Sequence, residues 1–154
     1  MSGKIETKLA EMGVALPDAP APAANYVPFV IVGDLVFISG QVSKDAGGLI
    51  TGKLGEGMSI EDGQAAAKVC ALNLLAQLKA ACGGDLDRLV KVVKLGGFVN
   101  AAPDFHDHPA VINGASDFIG DLLGEVGAHA RAAVGSSSLP FGVAVEIEGI
   151  FQIR

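Results

Sequence analysis

The sequence predicts a two-layer α+β domain, a mixed sheet with two helices on one face. Three observations lead there. Apolar runs of strand length occupy 29–42, 89–99, 129–135 and 142–153. Two segments, beginning at Ser59 and near Pro109, instead repeat apolar residues at three- and four-residue spacing. The order is thus two strands, a helix, a strand, a helix and two strands, and two helices cover only one face of such a sheet. Self-association is the expected cover for the other face.

Residues 3–12 read as a short helix, and the proline-rich LPDAPAPAANYVP as an extended segment leading to Asn25 and Tyr26. FVIVGDLVFISGQV reads as a hairpin turning at Gly33-Asp34, with its second strand from Leu35 to about Val42. KDAGGLITGKLGEG reads as a glycine-rich connector with a short strand at Leu49-Ile50-Thr51; it lacks the Lys-Ser/Thr ending of a phosphate loop. Ser59 is an N-cap with Asp62 three residues on, and Ala67, Cys70, Leu74, Leu78 and Ala81 form the stripe of the helix it opens. Gly83-Gly84 ends that helix.

Leu89 to Val99 is apolar on both faces, so one face meets a helix and the other a helix or a partner. Asn100-Ala101-Ala102-Pro103 breaks the chain, and Asp104 and Pro109 bracket the start of the second helix. Its stripe is Ile112, Ala115, Ile119 and Leu122, and it ends in 124–127. A strand from His129 to about Gly135, a Ser-rich loop and a strand from Gly142 to Ile153 complete the domain. The 154 residues fit one domain, 1–154, with 1–24 as an N-terminal extension.

Eleven Lys and Arg stand against seventeen Asp and Glu, a formal net charge of −6. That balance argues against nonspecific binding to nucleic acid or to an anionic membrane. No 18-residue apolar stretch and no signal-peptide core is present, so the expectation is a cytoplasmic protein. Two cysteines, Cys70 and Cys82, make no disulfide framework; Cys70 fits the helical stripe, and Cys82 is expected to be the more exposed.

The charges near the C-terminus carry the functional argument. Period two puts Arg131 and Ala133 on one face of their strand. On the last strand Val143, Val145, Ile147, Phe151 and Ile153 share the face expected to meet the helices, and Glu146, Glu148, Ile150 and Gln152 share the other. An arginine among alanines and a valine needs a partner. It is an ion pair to Glu146 or Glu148, a surface guanidinium, or an anion clamp that grips a carboxylate through two parallel hydrogen bonds. In the last case a neighbouring glutamate places a water or moves a proton.

RAAVGSSSLPFGVAVEIEGI resembles the signature of the RidA (YjgF/YER057c/UK114) family. FISGQV is similar to that family's strand ending in Ser-Gly-Gln, Asp104-Phe105 with Val111 and Asn113 to its second-helix pattern, and Asn25-Tyr26 to its Pro-Tyr element. The likeness spans about 20–154. The longer N-terminus and the SSSLPFG loop resemble the longer bacterial subgroup.

The resemblance implies a chorismate-mutase-like fold and a homotrimer with clefts between subunits. It implies hydrolysis of reactive enamines and imines, such as 2-aminoacrylate, to 2-keto acids and ammonia, with no metal or organic cofactor. By position, Arg131 would bind the substrate carboxylate and the Ala133 backbone the imine nitrogen. Tyr26 and Ser39 would line the pocket, with Asn113 at its edge. Glu148 matches the acidic group near the reactive water, with Glu146 as the alternative. His129 and Ser137 are possible cleft residues. The alternative function is a non-catalytic, small-carboxylate-binding or regulatory trimer using the same arginine.

His106-Asp107-His108 has no convincing third ligand and reads as a helix start, not a metal site. The serines 136–138 lack the strand-turn-helix context of a nucleophile elbow.

Overall fold

The computed structural model describes residues 3–19 and 25–154. Along the chain its elements are α1 (Lys4–Glu11), β1 (Phe29–Val32), β2 (Leu35–Val42), β3 (Lys44–Asp45), β4 (Gly48–Leu49), α2 (Ile60–Ala81), β5 (Leu89–Asn100), α3 (His108–Leu123), β6 (Ala130–Ser136) and β7 (Val145–Ile153). The main sheet has the order β1-β2-β7-β5-β6. β5 and β6 pair in parallel, because α3 carries the chain back across the sheet between them; the other neighbours are antiparallel.

The core lies between the sheet and the helices. Leu74, Leu75 and Leu78 of α2 and Ile112 and Ile119 of α3 meet Val92, Leu95, Ile147 and Phe151 of the sheet, all of them buried. The period-two reading of β7 holds: Val145, Ile147, Phe151 and Ile153 are buried, while Glu146, Glu148, Ile150 and Gln152 are half-buried or exposed on the opposite face. That outer face also presents Val30, Val32, Phe37 and Val134 to solvent, a concentration of apolar side chains that none of the described residues covers.

Several local readings hold for the expected reasons. The Ser59 hydroxyl accepts from the Asp62 N–H at 3.1 Å and opens α2. Gly33 turns the β1–β2 hairpin at φ +61°, a left-handed conformation that glycine adopts at least cost. Ser39-Gly40 forms a bulge: β2 advances three residues from Ile38 to Gln41 while β7 advances two, from Gly149 to Ile147.

Other readings are corrected. The glycine-rich segment is more than a connector. Its short strand is Gly48–Leu49, not 49–51, and pairs with Lys44–Asp45 as the hairpin β3–β4; Leu54, beyond it, is fully buried and bonded to both ends of Asn100-Ala101-Ala102. Cys82 is buried at 2% exposure, because the turn after α2 folds it back onto the core, and burial raises its thiol above the usual range. β6 begins at Ala130, leaving His129 just outside it, and β7 begins at Val145, not Gly142. Within the N-terminal extension, α1 is fastened to the body of the fold. The Lys4 and Ile5 N–H groups donate to the Asp87 carboxylate at 2.8 and 3.1 Å, which holds that carboxyl below its ordinary range. Residues 20–24 of the proline-rich segment lie outside the described residues.

Candidate functional site

β6 is an edge strand, and Arg131 is its second residue. Arg131 stands opposite Leu95 of β5, whose side chain is buried under the helices. Arg131 therefore points to the helix side. There Nη1 donates to Asn113 Oδ1 at 2.8 Å and to Ser116 Oγ at 3.1 Å, and Nη2 donates to the Pro109 carbonyl at 3.3 Å. Asn113 and Ser116 are three apart on α3 and so share a face.

A guanidinium has five N–H donors. Three are taken by these contacts. Nε–H and one hydrogen of Nη2 have no partner among the described residues, and the edge joining Nε to Nη2 is one that grips a carboxylate in parallel. The ion pair to Glu146 or Glu148 entertained from the sequence does not form: Arg131 contacts α3, and the glutamates lie across the sheet.

Ser116 extends the network. Its hydroxyl is 2.9 Å from His129 Nε2, and His129 Nδ1 is 2.6 Å from the Gly127 carbonyl. The sequence reading missed Ser116. Its signal was only a polar residue one turn beyond Asn113, which resembles any polar residue on a helix flank.

Ala133 shares the face of Arg131 and lies beside an open strand edge. The Ser136 carbonyl accepts from Ala101 N–H, so by alternation the N–H and C=O of Ala133 point away from β5.

The second group sits on the outer face. Glu148 lies over Gly96, where a Cβ would come within 3.0 Å of its carboxylate. Glu146 lies over Gly40, at the Ser39-Gly40 bulge, where the missing side chain leaves room for its carboxyl. Burial, and then the charge of Glu148, push the Glu146 carboxyl above its ordinary range. Phe37, Lys94, Gly96, Glu148 and Ile150 line a small hollow of about 130 Å³ there. The Ser39 hydroxyl donates to the Val27 carbonyl at 2.8 Å, which places it beside the segment carrying Tyr26, itself 48% exposed.

The chain thus brings the predicted residues together in two groups: Arg131 with Asn113 and His129, and Glu146 with Glu148 and the Ser39 bulge. Ser137 joins neither network; its carbonyl accepts from Lys53 Nζ. Another hollow, about 570 Å³ between the 50–58 loop and α2, contains none of these residues. Among the described residues, no three His, Cys, Asp or Glu side chains cluster as a metal site. No described helix is long and apolar enough to cross a membrane.

An α+β fold with an arginine on its edge strand, held by α3 and with donors to spare, defines a class that comparison makes specific. The model of the family described as YjgF/chorismate mutase-like, putative endoribonuclease, matches residues 6–147, and the chain belongs to that family. It is 49% identical to Protein TCP17 of Trypanosoma cruzi, over 99% of this chain and 96% of that one. It is 28% identical to a 2-iminobutanoate/2-iminopropanoate deaminase of Dermatophagoides farinae, over 92% and 95% of the two chains. Among solved structures, the protein Atu1372 of Agrobacterium tumefaciens, described as of unknown function, is similar with a TM-score of 0.89 and 48% identity, over 97% of this chain and 94% of that one.

Proposed function

We propose that this protein hydrolyses small 2-imino acids and their enamine tautomers, such as 2-aminoacrylate, to 2-keto acids and ammonia, in clefts between the subunits of a homotrimer. The observation that carries the reading is the state of Arg131: three donors tied to α3, and two N–H donors, one on Nε and one on Nη2, left without a partner among the described residues on the face shared with Ala133.

The chemistry needs little more than placement. The guanidinium holds the substrate carboxylate, and Ala133 meets the imine nitrogen. An α-imine carbon is already electrophilic, so water adds to C2, nitrogen leaves as ammonia and a carbonyl remains. The proton taken from water must reach that nitrogen. A carboxyl with a raised pKa is suited to carry it, since it takes and releases a proton near neutrality more readily than an ordinary one. The resemblance matches Glu148 to this role. Burial and the raised pKa favour Glu146.

Arg131 and the glutamates lie on opposite faces of their own sheet, so one chain cannot set both against the same substrate. Two copies can, with the β6 edge of one against the outer face of the next. The exposed Val30, Val32, Phe37 and Val134 give that contact a hydrophobic drive. The family description also includes endoribonuclease activity, but the net charge of −6 provides no electrostatic track for a phosphate backbone.

The test is a coupled assay. 2-Aminoacrylate is generated in place by a pyridoxal-phosphate dehydratase, and keto acid release is followed against spontaneous hydrolysis. Acceleration supports the reading. No acceleration together with calorimetric binding of 2-ketobutyrate favours the carboxylate-binding trimer, and neither effect ends both.

A further inference from the structure

We propose that His129 and Ser116 are positioning residues for Arg131: a hydrogen-bond relay anchored on the Gly127 carbonyl that holds the guanidinium edge toward the substrate carboxylate. The inference deepens the function proposed above and rests on it.

The polarity of the relay follows from its partners. A carbonyl only accepts, so the 2.6 Å contact at Gly127 places a hydrogen on His129 Nδ1. With its ring hydrogen there, Nε2 accepts, and the Ser116 hydroxyl donates to it across 2.9 Å. The Ser116 oxygen is then left with its lone pairs for the Arg131 Nη1 hydrogen at 3.1 Å. Every link has one donor and one acceptor, and each bond polarises the next.

The anchor is firm. Gly127 is buried in the turn after α3 and packed close against the Ile119 carbonyl, so the acceptor at the end of the relay sits in tightly packed backbone. Arg131 and His129 are two apart on the chain, so β6 and the strand approach deliver both to α3 together. Asn113 holds the other Nη1 hydrogen. With both Nη1 hydrogens fixed, the plane of the guanidinium is fixed, and so is the direction of its Nε–Nη2 edge. A lone arginine at a strand edge would sample several rotamers, at a cost in affinity.

The experiment compares His129→Leu, His129→Gln, Ser116→Ala and Ser116→Thr with the parent and with Arg131→Ala. Titration with 2-ketobutyrate and steady-state imine hydrolysis are the readouts. His129→Leu and Ser116→Ala should each weaken 2-ketobutyrate binding and raise KM by about tenfold, the scale of one hydrogen bond to a charged group, with kcat changed less than threefold. Ser116→Thr keeps the hydroxyl, and His129→Gln keeps an acceptor at the place of Nε2; both should recover most of the loss. Affinity unchanged in both His129→Leu and Ser116→Ala, with only the melting temperature lowered, would reduce the pair to packing and overturn the proposal. So would equal losses in the conservative and disruptive variants. Arg131→Ala separates the two levels. Binding retained there ends the carboxylate clamp and its relay together. Binding lost there but kept in His129→Leu and Ser116→Ala ends the relay alone.

Discussion

Arg131 and Glu148 occupy neighbouring registers of one sheet and opposite faces of it. Arg131 stands beside Leu95 on the helix side, and Glu148 lies over Gly96, the next residue along β5, on the outer side. A one-residue step along a strand reverses the face. The residues that the proposed chemistry must unite are therefore held apart by the fold that carries them, so the proposed site requires a second copy of the chain.

Arg131→Ala should leave assembly intact and lower kcat/KM by roughly 30- to 4000-fold, the equivalent of about 2–5 kcal/mol for a desolvated charged contact. Arg131→Lys should recover little, because a single ammonium cannot serve Asn113, Ser116 and a bidentate carboxylate together. Activity per folded protein within threefold of the parent in Arg131→Ala would remove the arginine from the reaction.

Light scattering at micromolar concentration should give three times the 15.6 kDa chain mass. A stable monomer would leave Phe37 and Val134 in water and separate the two halves of the proposed site.

Glu146 should mark the pH dependence of stability. Its carboxyl holds its proton more tightly in the folded chain than in the unfolded one, so its contribution to stability falls as pH rises from the ordinary value of 4.5 through the raised one. Glu146→Gln stays uncharged and escapes that loss. The variant should melt above the parent at pH 7.5, and the gap should close towards pH 4. A gap that is constant with pH would mean that no such shift exists. If Glu146 serves the reaction, the more stable variant should also be the less active one.

Two glycines of α3 should respond oppositely to the same substitution. At Gly114 a Cβ would run into the backbone carbonyl of Gln64, where α2 and α3 cross closely. Gly114→Ala should cost about 1–3 kcal/mol, or roughly 2–12 °C in Tm for a chain of this size. Gly120 has nothing within 4 Å of its would-be Cβ, so Gly120→Ala should stabilise by about 0.5–1 kcal/mol through helix propensity. Thermal melts of the two variants, with mass checked by scattering, test the contrast.

Much of the fold was legible because its signals are local. The Ser59 cap, the Gly33 turn and the alternation in β7 each depend on residues within a few positions of one another. Arg131 was equally visible, since a guanidinium in a run of small residues demands a partner. The partner itself was not. Choosing between Glu148, nearby in the sheet, and Asn113 with Ser116, on α3, requires knowing which face of β6 meets the helices, and alternation alone fixes faces only relative to each other. The same limit hid the Asp87 cap on α1 and the burial of Cys82, both made by chain returning from elsewhere.

By itself the sequence determined the order along the chain of the main-sheet strands and the two long helices, the inward and outward residues of β7, and the arginine as the residue to explain, because periodicity and local turn chemistry are written in adjacent positions. Only the tertiary structure decided that Arg131 is held by Asn113, Ser116 and the Pro109 carbonyl, that His129 stands behind it, and that Glu146 and Glu148 lie across the sheet. Those relations join residues by packing across the layers of the fold, and a hydrogen bond is chosen by proximity in space, which no spacing along the chain encodes.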